Sequence, residues 1–402
     1  MSTFLTYVGA TRKSLDDELQ TSYSVAMVMS NDDLLMEILL RLHAKPLLKC
    51  KSVSKRWCSL IASPVFGLHW RRKSNPGLLI LSNISYFTFI SVEDDWEPVR
   101  VSHSTYERER VPRVFPADGL NLTLLQSCNG LLLVEKYFSF YIYNPITNQF
   151  KQITLPETWP IAFLQQFNRA QYRLMLAFNP SKSPHYKLVA LIYDKLSKSN
   201  FFHIYSSENN TWIKSREVRG DVRFGFGGYW DDAIIWYEIY SSSFFIFDIF
   251  QDHFEQIPPP QYERDVGTKI LDHYFGDCQG HLNIVVNSKD HSKSYVYNFQ
   301  RQNSKWSLKG CINFKTLAKH YICCAPYLSN FIFNRYRCKV LSFVRRVPEE
   351  DSYLVLYNNG FVMSYNFKNE TLRKLYNANW EINTSMFVFQ YDESLLFNHL
   401  LM

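Results

Sequence analysis

No two of the eight cysteines stand at C-x-x-C spacing; they are scattered as Cys50, Cys58, Cys128, Cys278, Cys311, Cys323, Cys324 and Cys338. That removes the usual zinc and thiol-redox frameworks and predicts reduced thiols, in the cytoplasm, the nucleus or both. The opening MSTFLTYVGATRKSLDDELQTSYS lacks the apolar run of a secretory signal, and no later stretch is long enough to cross a bilayer. Catalytic signatures are missing too. There is no H-E-x-x-H, no G-x-S-x-G and no Walker loop, and the eleven histidines form no tight cluster with aspartate. No metal or cofactor is expected.

Acid is absent over a long interval: no Asp or Glu lies between Glu37 and Glu93. The same interval holds Arg41, Lys45, Lys49, Lys51, Lys55, Arg56, Arg71, Arg72 and Lys73, more cations than the whole net charge of +7. A basic partner face therefore sits near the N-terminus, and the rest of the chain is too near neutral to bind nucleic acid by charge. The acidic pairs Asp32/Asp33, Asp94/Asp95 and Asp231/Asp232 read as a helix cap and two solvated turns rather than catalytic carboxylates.

Aromatics are plentiful, at 16% of residues, which favours strands. Helices are expected only early. Residues 1–29 are polar and aperiodic, the composition of a disordered tail. Ser30, Asn31, Asp32 and Asp33 then suit the N-terminus of a helix running to Leu42. Pro46 suits the first turn of a second helix through Lys51, Ser54 caps a third ending near Ala62, and Ser63-Pro64 opens one further turn. Val53, Trp57, Leu60 and Ile61 share one stripe of the third helix, so Trp57 is placed to pack rather than to stack on a base. The first helix, with Leu34, Leu35, Met36, Ile38, Leu39, Leu40 and Leu42, is apolar nearly all round. A unit of about forty residues cannot cover such a helix alone, so the cover comes from the following domain or another chain.

Beyond the turn-rich Ser74-Asn75-Pro76-Gly77 the pattern becomes strand-like. One unit recurs as FYIYNPITNQF, FHIYSSENNTW, FFIFDIFQDHF, YVYNFQRQNSKW and VMSYNFKNETL: an aromatic strand, a polar turn, a bulky residue on the return strand. The step from aromatic to bulky residue is seven at Tyr143/Phe150, Tyr205/Trp212, Phe247/Phe254 and Tyr365/Leu372, and nine at Tyr297/Trp306. The units begin at 143, 205, 247, 297 and 365. Hairpins repeating at that period predict a β-propeller of kelch type rather than a two-sheet sandwich. With GLLILSNISYFTFIS as an earlier blade and YICCAPYLSNFIFNRYRCKVLSFV as a poorly matching one, six or seven blades are expected. GFGGYWDD leads into a strand rather than a helix, which makes it a blade turn and not a phosphate loop.

The helical stretch DLLMEILLRLHAKPLLKCKSVSKRWCSLIASPVF resembles an F-box. The likeness rests on Glu37-Ile38-Leu39, Arg41-Leu42, Leu47-Leu48, Val53-Ser54-Lys55 with Trp57, Leu60-Ile61, Ser63-Pro64 and Phe66. SCNGLLLVE from Ser127, YNPITNQF from Tyr143, GGYWDDAIIW from Gly227 and FQYDESL from Phe389 are similar to the F-box-associated domain of plant receptors. The resemblance implies a mainly β chain with a small N-terminal α domain: tail 1–29, F-box 30–73, propeller 78–402. It implies docking on a Skp-family adaptor, and through it a cullin, by Leu34, Leu35, Ile38, Leu39, Leu42, Leu47, Val53, Trp57, Leu60 and Ile61. It also implies a non-catalytic receptor whose propeller holds an unknown protein target. Met29-Ser30 and Leu42-His43 stand where the family carries Leu-Pro, which implies weaker docking.

The competing reading is a nucleic-acid-binding regulator in which Lys45, Lys49, Lys51, Lys55 and Arg56 dock on a duplex. Few polar side chains are left there to read base edges, so no specific nucleic acid is expected. A propeller hydrolase or oxidase with a helical appendage is the third, and no motif favours it.

Overall fold

The computed structural model describes residues 27, 30–42, 44–73, 76–82, 86–91, 122–136, 139–147, 149–156, 159, 172–194, 196–220, 222, 224–263, 274–278, 281–290, 292–314, 317, 339–344, 352–358, 361–377 and 387–392. Contacts divide the chain into two units, Met1–Ser74 and Asn75–Met402. The tail expected at 1–29 lies, Met27 apart, outside the described residues, as does Asp94/Asp95.

The first unit contains helices α1 (Asp32–Leu39), α2 (Ala44–Cys50), α3 (Lys55–Ala62) and α4 (Pro64–Lys73). Asn31 caps α1: its side-chain oxygen accepts from the backbone N–H of Asp33 (2.9 Å) and Leu34 (3.2 Å). The helix stops at Leu39 rather than Leu42. Arg41 and Leu42 donate instead to the carbonyls of Ile38 and Leu39, i→i+3 bonds that tighten the last turn. Ser54 Oγ accepts from Trp57 N at 3.1 Å and starts α3. Ser63 Oγ accepts from Phe66 N at 3.1 Å, and α4 runs for ten residues where one turn was expected. Helix α3 touches the other three helices. Trp70 is buried, and its indole N–H donates to the Leu42 carbonyl at 2.9 Å.

The second unit is built from strands β1 (Pro76–Ser82) to β23 (Phe387–Asp392), arranged in five four-stranded sheets and one three-stranded sheet. The four-stranded sheets are consecutive antiparallel meanders within residues 122–153, 172–219, 224–257, 275–313 and 339–377. Their first strands, β3 (Leu122–Cys128), β7 (Tyr172–Ala177), β11 (Phe224–Trp230), β15 (Phe275–Cys278) and β19 (Lys339–Val344), contact one another in that order. Strand β23 touches both β19 and β3, so the ring closes. It does so because β23 also pairs with β1, from Pro76↔Asp392 to Leu81↔Phe387, with β2 (Tyr86–Ser91) on the far side of β1.

Among the described residues, the expected six or seven blades are therefore corrected to five four-stranded blades and a three-stranded closing sheet. Two features explain the difference. KVLSFV is β19, the inner strand of the blade that carries Tyr365, not part of a separate blade; residues 321–338 lie outside the described ones. The sheet that holds GLLILS has three described strands, β2, β1 and β23, rather than four.

Apolar clusters fill the spaces between neighbouring sheets. Ile204, Phe202 and Val189 of one blade meet Trp236, Phe247 and Ile234 of the next. Phe244, Ile235 and Trp230 of that blade in turn meet Phe299, Val286 and Ile284. Each inner sheet is covered on both faces, which is why Leu131–Val134 and Ala233–Trp236 are unbroken apolar runs rather than alternating ones.

The repeat has a simple geometry. Tyr143↔Phe150, Tyr205↔Trp212, Phe247↔Phe254 and Tyr365↔Leu372 are direct cross-strand partners. The irregular case disappears: Trp306 pairs with Phe299, not Tyr297, so the step is seven in every blade. The residue after the aromatic caps the turn at Asn144, Asp248 and Asn366, each accepting from the N–H groups two and three residues on. Asn210, Asp252, Ser304 and Glu370, five residues past the aromatic, adopt positive φ. The tryptophans at the return position also join blades. Trp212 Nε1 donates to Thr154 O (2.8 Å) and Trp306 Nε1 to Pro258 O (2.9 Å), each carbonyl one residue past the outer strand of the preceding blade. Nearer the centre, Gln126 of β3 is buried and exchanges two hydrogen bonds with the Leu176 backbone of β7, at 2.7 and 2.8 Å.

Two expectations about GFGGYWDD are also corrected. The glycines lie within strand β11, because a side chain does not fit: a Cβ on Gly227 would sit 2.6 Å from Ile235 O. The turn is Asp231-Asp232, with φ 48° and 63°. Asp232 is buried, not solvated, and accepts from Tyr229 OH (2.6 Å), Asn179 Nδ2 (2.9 Å) and Lys182 Nζ.

Candidate docking surface of the helical unit

Helix α1 sorts its apolar residues into two rows by i, i+4 spacing. Leu35 and Leu39 are each 1% exposed; Leu34 and Ile38, one position earlier, are 46% and 47% exposed. Leu47 and Ile61 are fully buried. Leu42, Trp57 and Leu60 are half-buried, and Val53, in the turn before α3, is exposed. Of the ten residues assigned to the adaptor face, Leu35, Leu39, Leu47 and Ile61 therefore offer a partner no surface; they are packing residues. The surface itself comes from Leu34, Ile38 and Val53, with the exposed parts of Trp57, Leu60 and Leu42. Sequence reasoning missed exposed Val65. Its one signal was Ser63 capping a helix longer than a turn.

Arg56 links the two segments that carry this surface. Its Nε donates to Asp32 Oδ1 (2.9 Å), its NH2 lies 2.6 Å from the same oxygen, and NH2 also donates to Ser30 O (2.9 Å). An exposed pair of this kind contributes about 0–1 kcal/mol, so its value is positional. It also engages one of the cations on which the duplex-binding reading relied. Lys51 is half-buried, and desolvation holds its ammonium below the ordinary lysine pKa although Cys58 nearby acts in the opposite sense. Lys49 and Lys55 remain exposed. Two of the four described cations on which the duplex-binding reading relied are thus engaged or desolvated.

No group of three or more His, Cys, Asp or Glu side chains is placed to hold a metal ion among the described residues. Cys50 and Cys58 are free thiols, and no described helix is long and apolar enough to cross a membrane.

Helices with an exposed apolar row, followed by a closed ring of antiparallel blades, define a two-part chain of docking module and propeller. Residues 31–69 match the F-box domain family, and residues 89–318 match the KIB1-4 beta-propeller family. F-box protein At5g07610 of Arabidopsis thaliana is 31% identical over 389 residues, covering 88% of this chain and 87% of that protein. F-box/kelch-repeat protein At3g61590 of the same plant is 26% identical over 259 residues, 60% of this chain and 59% of its own. Among solved structures, oligogalacturonate lyase in complex with manganese shares 8% identity over 62% of each chain at a TM-score of 0.38, too remote to bear on function. The chain belongs to the plant F-box proteins with a propeller domain. F-box proteins generally act in SCF ubiquitin ligases, where the F-box binds a Skp adaptor and the protein is typically a non-catalytic receptor.

Proposed function

We propose that this chain is the substrate-recognition subunit of an SCF-type ubiquitin ligase. Its F-box docks on a Skp-family adaptor, and through it a cullin, while the propeller holds a target protein. The chain performs no chemistry. Other subunits transfer ubiquitin, and the receptor raises the effective concentration of the target beside them. The supporting observation is the division of α1: a buried row fixes the helix, and the adjoining Leu34/Ile38 row is left to solvent. Exposed apolar rows of this kind mark partner sites. At Leu42-His43, where the family carries Leu-Pro, Trp70 holds the Leu42 carbonyl. The location we propose is the cytoplasm, the nucleus or both, as the scattered cysteine spacing suggests, and a fluorescent fusion of the full chain tests it.

Calorimetric titration of the full chain with a Skp-family adaptor tests the docking face. Ile38→Asp should weaken binding by about 1–3 kcal/mol while leaving thermal melting unchanged, because the side chain is already in water. Unaltered affinity in this variant would show that the face has been assigned wrongly.

A further inference from the structure

Arg56 is placed against local electrostatics twice over. It stands in the first turn of α3, which holds no acidic residue, and its guanidinium reaches the first turn of α1. Both are helix N-termini, where backbone N–H groups favour anions and disfavour cations. On α3 the neighbouring Lys55 adds a second cation. A side chain that works against its own helix has its reason elsewhere. Here that reason is visible. Nε donates to Asp32 Oδ1 (2.9 Å), and NH2 donates to the Ser30 carbonyl (2.9 Å) while lying 2.6 Å from the same carboxylate oxygen. One planar guanidinium thereby grips a side chain and a backbone group 24 and 26 positions away.

The grip falls at the entry to α1, where the core gives no hold. Every residue from Ser30 to Leu34 is exposed, and burial begins only at Leu35. Ser30 Oγ donates to the Met27 carbonyl (2.9 Å), and Asn31 caps the N–H groups of Asp33 and Leu34. Those bonds shape the first turn but tie it to nothing beyond itself. Arg56 ties it to α3. Fixing Ser30 and Asp32 therefore fixes the turn that carries Leu34. On the other side of the clasp Trp57 follows Arg56 directly, and Val53 lies three residues before it. The two halves of the apolar docking face meet across this contact.

We propose that Arg56 is a positioning residue for adaptor docking. It acts through Asp32 and Ser30 to hold Leu34 in place beside Val53 and Trp57, and does not itself bind the adaptor. That role rests on the receptor reading. It sets Arg56 apart from exposed Lys55, whose charge acts on a partner's approach. The paired side chains are 42% and 60% exposed, so water competes for the contact and the effect on docking is modest.

The test measures association and dissociation rates of a purified Skp-family adaptor on the full chain, with stoichiometry from calorimetry on the same samples. Arg56→Ala and Asp32→Ala should each speed dissociation about two- to fivefold, and the double variant no further. Arg56→Lys keeps the charge but loses the planar fork, and should behave like Arg56→Ala. Lys55→Ala, the charge control, should slow association only, an effect that added salt removes. Stoichiometry should stay that of the wild type throughout. Losses that add in the double variant, or a loss at Arg56→Ala that Asp32→Ala does not share, overturn the proposal by placing Arg56 on the adaptor. Wild-type rates in Arg56→Lys overturn it by giving the effect to charge, and a fall in stoichiometry overturns it by making Arg56 a folding residue. Hydrogen exchange reads the clasp without the adaptor: the Asp33 and Leu34 amides of the free chain should exchange faster in Arg56→Ala. Unaltered exchange there also overturns the proposal. Faster exchange in a protein whose wild type binds no adaptor would refute the receptor reading and leave the clasp standing.

Discussion

Neighbouring side chains on α1 have opposite fates. Ile38 and Leu39 are chemically almost alike, yet one is 47% and the other 1% exposed. Replacing Leu39 with Ala should open a cavity and destabilise the helical unit by about 2–5 kcal/mol, seen as a lower melting temperature of that unit. Replacing Leu34 with Asp should leave melting in place and reduce adaptor binding. The sequence showed that α1 carries more apolar surface than a small unit can bury. It did not show which row stays exposed, since the two rows differ by one residue in register and hardly at all in composition. The decision belongs to α3, which packs on α1 and whose position is a tertiary fact. Asp232 illustrates the same limit. Its neighbours in sequence look like a solvated turn, but the groups that bury and bond it, Asn179 and Lys182, come from far along the chain.

At the scale of the element, the seven-residue step was legible because it is local: strand aromatic, capping residue, left-handed residue and return partner all fall within one hairpin. The nine-residue exception came from choosing Tyr297 where Phe299 is the paired aromatic. Close approach between strands was not legible. Gly227→Ala would force its Cβ against Ile235 O and Trp236 Cδ1, each 2.6 Å away, and should cost about 1–3 kcal/mol in denaturant melts. Asp232→Ala removes the acceptor shared by half-buried Tyr229 and Asn179 and by exposed Lys182, and should cost about 1–3 kcal/mol. Burial raises the Asp232 pKa, but the hydrogen bonds from Lys182, Tyr229 and Asn179 outweigh it and leave it below the ordinary value of 3.8. A carboxyl depressed in the folded state stabilises at pH above its unfolded value and loses that contribution as pH falls through the folded one. The melting difference between wild type and Asp232→Ala should therefore be constant from neutrality down to about pH 5 and shrink below about pH 4.

At the scale of the molecule, β1, which carries GLLILS, pairs with β23, and that pairing replaces two open sheet edges with one ladder. The number of blades was not accessible, because a strand that begins one blade reads the same as a strand that ends another. Truncation after Thr384 removes β23 and should lower the melting temperature of the whole ring, whereas deletion of residues 1–73 should leave the propeller transition nearly where it was. A ring indifferent to the loss of β23 would argue against closure through that strand. The receptor role itself is tested most directly by quantitative affinity purification from plant cells of the full chain beside its Ile38→Asp variant. The account predicts that a Skp adaptor and a cullin accompany the wild-type chain, and that both are lost from the variant while the proteins held by the propeller remain. Adaptor and cullin missing from the wild type, or retained in full by Ile38→Asp, would contradict it.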